Sequence, residues 1–490
     1  MKSVTVSIWA FVLFLLSGCG FEMSTPDVSN ENVNVNAGQH GYLALLKASG
    51  DFTLSEEELE AQVTQLLNNV EFFGRGAALG AEVVITGSNK LPISGGVIAS
   101  RSAYARSSAV GESEESPIEI YIFSTEDADG TEGYVLASND MRLGIVLAVV
   151  DGGSLEDQPE WWNDIVFEGI GDYMDYIVDL YDNIDDEEIR RTIQNPVLTS
   201  NSRSVFSGSG SNNNISGKGL IHHWYPNAAN VRSAAWSWTE GYEARTDKNG
   251  ERVLTNWHQR YPYNFYVNGT HDAAKKGEYV AGCGPVAMAQ LMAIWGMPTQ
   301  SKIVNFTYDW KQMRGDFNNS ATSGAKSVAY LMYELGRHAS SKYTKNGGTS
   351  TLPKNIISGL KKMGYKTPGS FSSYSIGTVR SSIKAGRPVI AIGYSGKKTF
   401  LGISTYQEGH AWLIDGVRTM SYIENLVDGT GWSWSNWDFI YCNPGWGASY
   451  NSWYAAGIFD FRTGLQSHAS RSGVNDYYQY NVQILPNVYY

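Results

Sequence analysis

The segment from Thr199 to Gly219 constrains this chain most, because 15 of its 21 residues are Ser, Asn or Gly. Such a stretch buries too little apolar surface to offset the entropy of ordering its backbone. It is expected to be a flexible, protease-accessible linker at 199–219, and the 490 residues therefore fold as two units on either side of it. Charge sorts with the division: residues 20–210 carry 33 acidic and 9 basic side chains, and residues 211–490 carry 16 acidic and 27 basic. Opposite signs on tethered units point to mutual docking that weakens with salt. No nucleic-acid partner is expected of a chain with net charge −12.

Lys2, the apolar run Val4 to Leu16 and the ending Leu16-Ser17-Gly18-Cys19 read as an export signal over residues 1–19, too short for a stable span. Its ending matches a lipobox, so Cys19 is the expected acylated residue. The precursor is then a membrane-anchored lipoprotein, attached through its lipidated N-terminus alone, with residues 20–40 as a polar tether, and cutting in the linker is expected to detach the basic half, 220–490, from that anchor unless the opposite charges hold the two together. The three cysteines are Cys19, Cys283 and Cys442, too few for a disulfide framework, and the last two are taken as free thiols.

In the acidic half, 20–198, Ser55-Glu56-Glu57-Glu58 predicts a capped helix to about Asn69. Strands are expected at Ile118–Ser124, Gly133–Ser138 and Arg142–Val150, the first two joined around Asp129-Gly130, with a helix over Trp161–Tyr181. This is a small α+β domain without a candidate nucleophile. In the basic half, 220–490, Leu220 to Arg252 is rich in Trp and Tyr but lacks a period, and His222-His223 reads as surface. Helices are expected at Ala325–Leu335, stopped by Gly336, and at Pro353–Met363; strands at Val389–Tyr394, His410–Val417, Asp438–Asn443 and Trp453–Phe461. Helices followed by antiparallel strands describe an α+β domain with a helical half and a β half.

Chemistry concentrates around Ala281 to Pro298, where Cys283 lies between Gly282 and Gly284 ahead of a helical run containing Val286, Met288, Ala289, Met292 and Trp295. A cysteine at a helix start meets unpaired amides and the positive end of the macrodipole, which favour the nucleophilic thiolate. It needs a base. Of eight histidines, His410 is the candidate, because it follows Gly409 and opens an apolar strand. Asn443, at the end of a strand and before Pro444-Gly445-Trp446-Gly447, is expected to orient the imidazole. Gln259, in the aromatic loop Asn256 to Asn264, is the candidate oxyanion donor beside the Cys283 amide. The order Cys, His, Asn and the separations suit a papain-like arrangement.

With these residues in hand, the chain resembles the streptopain family, secreted bacterial cysteine peptidases of papain-like fold. The resemblance is carried by Gln259 with Pro262-Tyr263-Asn264, Gly282-Cys283 and its helix, Val328–Gly336, Lys354–Tyr365, Arg387-Pro388-Val389, Gly409-His410-Ala411 and Asn443 with Gly445-Trp446-Gly447. It extends to the family's propeptide through Gly133-Tyr134-Val135 and Ser138-Asn139-Asp140-Met141-Arg142. It implies a papain-like domain over 220–490, an inhibitory prodomain over 20–198, protein or peptide substrates, and no metal or organic cofactor. Gly282, Gly409 and Trp446 would line the site. The family's tryptophan after the asparagine is Pro444 here, with Trp446 matching its second tryptophan and supplying part of the cover. An apolar residue two before the scissile bond is implied, and Val205-Phe206 in the linker suits that. Two other readings are a decayed surface lipoprotein that binds anionic glycan or protein, and a cell-wall amidase using the same Cys and His.

Overall fold

The structure, a computed structural model, describes residues 41–48, 50, 52–68, 83–91, 118–150, 152–155, 160–194, 231–247, 249, 253, 255–267, 274–315, 317, 320–345, 348–400, 403–426, 431–447, 451–459 and 482–490. The export signal with Cys19, the tether, the linker with Val205-Phe206, and His222-His223 lie outside the described residues.

The acidic half begins with helix α1 (41–48). Helix α2 (Glu56–Leu67) follows, opened by the expected capping box: Ser55 Oγ accepts from the Glu58 amide and Glu58 accepts from the Ser55 amide. An antiparallel meander comes next, β1 (Val84–Lys90), β2 (Ile120–Glu126), β3 (Glu132–Ser138) and β4 (Val146–Val150). The β2–β3 turn is held where the sequence marked it, Asp127 Oδ1 accepting from the Asp129 amide at 3.0 Å and the Thr131 amide at 2.8 Å, with Gly130 at φ +76°. Arg142, expected in a strand, instead sits in a 3-10 turn (Met141–Leu143). Its guanidinium pairs with the buried Asp140 at 2.6 Å and lies over the Phe52 ring, which fixes the turn. Helices α3 (Glu160–Asp182) and α4 (Asp186–Gln194) complete this half. The acidic run Asp185–Glu188 is therefore a helix start, with the Asp185 carboxylate accepting from the Glu188 amide.

In the basic half, the aromatic-rich stretch without a period contains a 13-residue strand, β5 (Val231–Glu243). Helices α5 (Cys283–Trp295), α6 (Ser323–His338), α7 (Pro353–Lys362) and α8 (Ile376–Lys384) follow, with two short strands, β6 (Lys342–Tyr343) and β7 (Thr349–Ser350), between α6 and α7. The helix expected to stop at Gly336 runs through it to His338. Gly336 marks close packing there, since a Cβ would lie 1.9 Å from the Tyr343 hydroxyl. The chain then adds β8 (Ser372–Ser373), β9 (Val389–Phe400), β10 (Ile403–Leu426), β11 (Gly431–Asn443), β12 (Ser452–Ala455) and β13 (Gln483–Leu485).

Apart from β6 and β7, which pair with each other, these strands do not form separate sheets in the two halves. The order β1-β2-β3-β4-β12-β11-β10-β9-β13-β8 is one sheet, with β5 pairing the distal part of β10. The halves join where Val150, Val149 and Ala148 of β4 oppose Ser452, Trp453 and Tyr454 of β12. Two cores flank the sheet. One holds the buried residues of the acidic half together with Trp412, Ile414, Trp437, Phe439, Trp453 and Phe459. The other holds α5, α6 and α7 against Ile390, Ile392, Ala411 and Leu413. The α+β class is as expected. The manner of docking is not: the halves share strands and an apolar core, whereas ion pairs such as Arg142–Asp140, Arg245–Glu243 and Arg380–Asp438 each join residues of one half.

Candidate active site

Cys283 opens α5, and the two glycines around it are required by what crosses the helix mouth. Gly282 has φ +95°, and a Cβ there would lie 2.7 Å from Thr349 Cγ2. A Cβ on Gly284 would lie 3.0 Å from Thr351 Cβ. The Thr349 hydroxyl donates to the Val280 carbonyl at 2.7 Å, so the β7 segment clasps the approach to the cysteine. Behind the mouth, every residue from Gly284 to Ile294 is buried, which leaves the helix no freedom to shift.

The half-buried Cys283 thiol has main-chain amides as its polar neighbours: its own, that of Gly284, and that of Ala411 on β10. Burial pushes its pKa above the ordinary thiol value, and the three amides oppose the rise without cancelling it. The helix mouth therefore does supply donors, as its position predicts, but desolvation is the larger effect and opposes the thiolate.

His410 is buried on β10 opposite Gly393, next to the exposed Gly409. Its Nε2–H donates to the Pro444 carbonyl at 2.8 Å, and its ring lies parallel to the Trp412 indole with centroids 6.4 Å apart. Strand alternation explains this placement. Ala411 and Leu413 face the core containing α5, while Trp412 and Ile414 face the other core, and the ring of His410 stacks with the latter side. The thiol thus meets the strand at the Ala411 amide, and among the described residues no hydrogen bond joins it to the imidazole. Burial lowers the His410 pKa to about 3, with the Pro444 carbonyl pulling the other way. Burial thus opposes charge on both groups in this state.

Asn443, expected to orient His410, is occupied elsewhere. Its Oδ1 accepts from Gln290 Nε2 at 2.7 Å and from the Gly445 amide at 3.2 Å, and its Nδ2 donates to the Thr255 carbonyl at 2.9 Å. The imidazole's acceptor is the main-chain carbonyl one residue later. Asn443 shapes that turn, which presses on α5 so closely that a Cβ on Gly445 would lie 2.7 Å from Val286 Cγ1.

Gln259 is brought to the cysteine by its backbone: its carbonyl accepts from the Ala281 amide at 2.8 Å, two residues before Cys283. Its neighbour His258 bridges to Trp446, and the Gly447 amide donates to the Trp257 carbonyl at 3.3 Å. Asn264 secures the far end of this loop, donating to the Ala274 and Tyr279 carbonyls at 3.0 and 2.7 Å. The structure thus gathers Gln259, Gly282, Cys283, Ala411, Asn443 and the half-buried Trp446 where α5 meets the sheet. Cys442 points away into the opposite core, as strand alternation predicts, with burial raising its pKa.

Gln290, Thr255, the Pro444 carbonyl and the Ala411 amide are the participants that the sequence reading missed. For Gln290 a signal existed: it is the one polar side chain in an otherwise apolar helix, seven residues and so two turns after Cys283, on the same face. Main-chain participants leave no such trace. Among the described residues, no group of three His, Cys, Asp or Glu side chains is placed to hold a metal ion, and no helix is long and apolar enough to cross a membrane.

Comparison with known proteins bears on this arrangement. Residues 257–454 match the model of the peptidase C10 family, a span that contains Gln259, Cys283, His410 and Asn443. No curated protein matches the chain. Among solved structures, a prointerpain A fragment from Prevotella intermedia matches with 17% identity and a TM-score of 0.38, over 74% of this chain and 94% of that one.

Proposed function

We propose that this chain, a peptidase C10 family member through residues 257–454, is the precursor of a cysteine endopeptidase whose nucleophile is Cys283. The observation that carries the reading is the convergence, inside the family's span, of a cysteine at a helix mouth with three main-chain donors around its sulfur and a histidine strand beside it. In the hydrolysis so proposed, the Cys283 sulfur attacks a peptide carbonyl, and His410 takes the thiol proton and returns it to the departing amine. Water then opens the thioester, with His410 as base. The Cys283 amide and Gln259 serve the oxyanion, one donor in such a hole being worth about 3 kcal/mol. Asn443 acts on His410 through the turn that carries Pro444.

Burial that opposes charge on both the thiol and the imidazole suits a resting precursor. Activation then requires surroundings in which both groups can bear charge. In the proposed zymogen, residues 20–198 are the prodomain, and the constraint is the intact connection through 199–219, which cleavage relieves while the prodomain keeps its place on the sheet. The described acidic-half residues belong to the core opposite α5, which favours inhibition through the sheet over occupation of the site. Export and acylation at Cys19 belong to the same proposal, and mass analysis of the mature N-terminus in a lipoprotein-processing host tests them: a diacylglyceryl adduct on Cys19 supports anchoring, an unmodified cut elsewhere refutes it.

Processed protein incubated with denatured casein and, separately, with peptidoglycan tests the activity. Casein cleavage that disappears in Cys283→Ala supports the peptidase; turnover of peptidoglycan alone identifies a wall amidase instead.

A further inference from the structure

We infer that the acidic half remains bound after the linker is cut, so that the processed protein is a two-chain molecule held by a shared sheet and core. The inference takes the cut linker from the proposed zymogen, while its structural basis is independent of any peptidase activity.

Three contacts carry it. Along the sheet, β4 continues into β12 through the pairs Val150–Ser452, Val149–Trp453 and Ala148–Tyr454. At the distal part of the basic half, Tyr42 of α1 inserts into a ring cluster, with centroids 5.4 Å from Trp236, 5.6 Å from Tyr422 and 4.9 Å from Trp437. At the third contact, α3 lies directly on the 3-10 turn after β12. A Cβ on Gly169 would fall 2.2 Å from the Ile458 carbonyl, and one on Gly457 would fall 2.5 Å from the Tyr173 ring.

Such a surface resembles a domain core cut in two, the character of obligate interfaces. Removal of the acidic half would bare an edge strand, which is a template for aggregation. It would also uncover Trp236, Tyr422, Trp437 and Ile458, a contiguous apolar patch of the kind that soluble chains keep covered. The occupant is identified by continuity: Tyr42, Gly169 and β4 already fit there, and they belong to this chain. Where Cys19 is acylated, the basic half stays at the membrane after cutting.

The test uses full-length Cys283→Ala carrying a site-specific protease sequence inside 207–214. After cutting, the account expects one size-exclusion peak containing both fragments at 0.05 M and at 1 M NaCl, roughly the extremes over which surface charge attraction is turned off. Separation at either salt overturns it, and co-elution at low salt alone assigns the docking to charge and overturns it too. Tyr42→Ala, checked for native folding by circular dichroism, should raise the dissociation rate of the cut fragments about tenfold, or about 1.4 kcal/mol of interface stability. An unchanged rate overturns the role given to the ring cluster. Because the variant lacks the thiol, none of these outcomes depends on the proposed hydrolysis.

Discussion

Burial opposes charge at both Cys283 and His410, and the pH behaviour of the intact chain follows from the signs. The His410 pKa is lowered from 6.5 to about 3, so between those values the unfolded chain binds a proton that the folded chain does not. Stability must therefore fall as pH drops from about 6.5 towards 3, and this part of the dependence is absent above that window. Denaturant unfolding of His410→Gln against wild type should show a flatter acid limb for the variant; parallel limbs would mean that the imidazole is not held neutral. Gln290→Leu leaves the Asn443 carboxamide oxygen without its best partner in a buried site, at a cost of about 1–3 kcal/mol. If Asn443 governs the Pro444 carbonyl, processed Gln290→Leu should lose kcat more than it changes KM, with Gln290→Glu recovering less than the wild-type rate. Equal loss in both parameters would point to general destabilisation.

At the scale of elements, close approach decides which substitutions matter. Gly169→Ala drives a Cβ into the Ile458 carbonyl, so α3 must move off the turn after β12; a loss of about 1–3 kcal/mol is expected in thermal unfolding. A neutral result would show that α3 is not clamped there. The C-terminal segment is likewise structural. β13 pairs with β9 across Ile390–Ile392, Ile484, Leu485 and Val488 are buried, and the backbones of Lys366 and Tyr489 exchange hydrogen bonds at 2.8 and 3.2 Å. Deletion of 482–490 bares the edge of the strand next to His410, and should lower solubility and thermal stability together; unchanged thermal unfolding would make the segment an ornament of the sheet. Legibility at this scale followed the range of the cause. The α2 capping box, the β2–β3 turn and the α5 helix rest on neighbours within four residues, and all were readable. β5 rests on a partner strand about 180 residues away, with Trp236 opposite Tyr422, and nothing local announces it. The stop assigned to Gly336 failed because a glycine that makes room for Tyr343 looks, in sequence, like one that ends a helix.

For the whole molecule, the division at 199–219 was legible as composition, but the force that joins the two units was not. Opposite net charges suggested electrostatic docking, whereas the described interface is a β ladder with aromatic and aliphatic packing, whose partners are alternating residues of strands far apart in the chain. At the candidate site, the helix mouth that carries Cys283 was legible for the same reason as α5, because Gly282-Cys283-Gly284 and the apolar run after it are neighbours in sequence. The role given to Asn443 was displaced by one residue, because a carbonyl has no sequence signature and Pro444 offers its own.

The most direct test is covalent labelling of Cys283 by an epoxide inhibitor of papain-like enzymes, followed by peptide mapping, on the intact chain and on protein cut in the linker. The account predicts slow labelling of the intact chain near neutral pH, rising towards alkaline pH as the buried thiol ionises, and rapid one-to-one labelling of Cys283 with loss of casein cleavage once the linker is cut. Casein cleavage that survives complete modification of Cys283, or cut protein that remains unlabelled and inert, would contradict it.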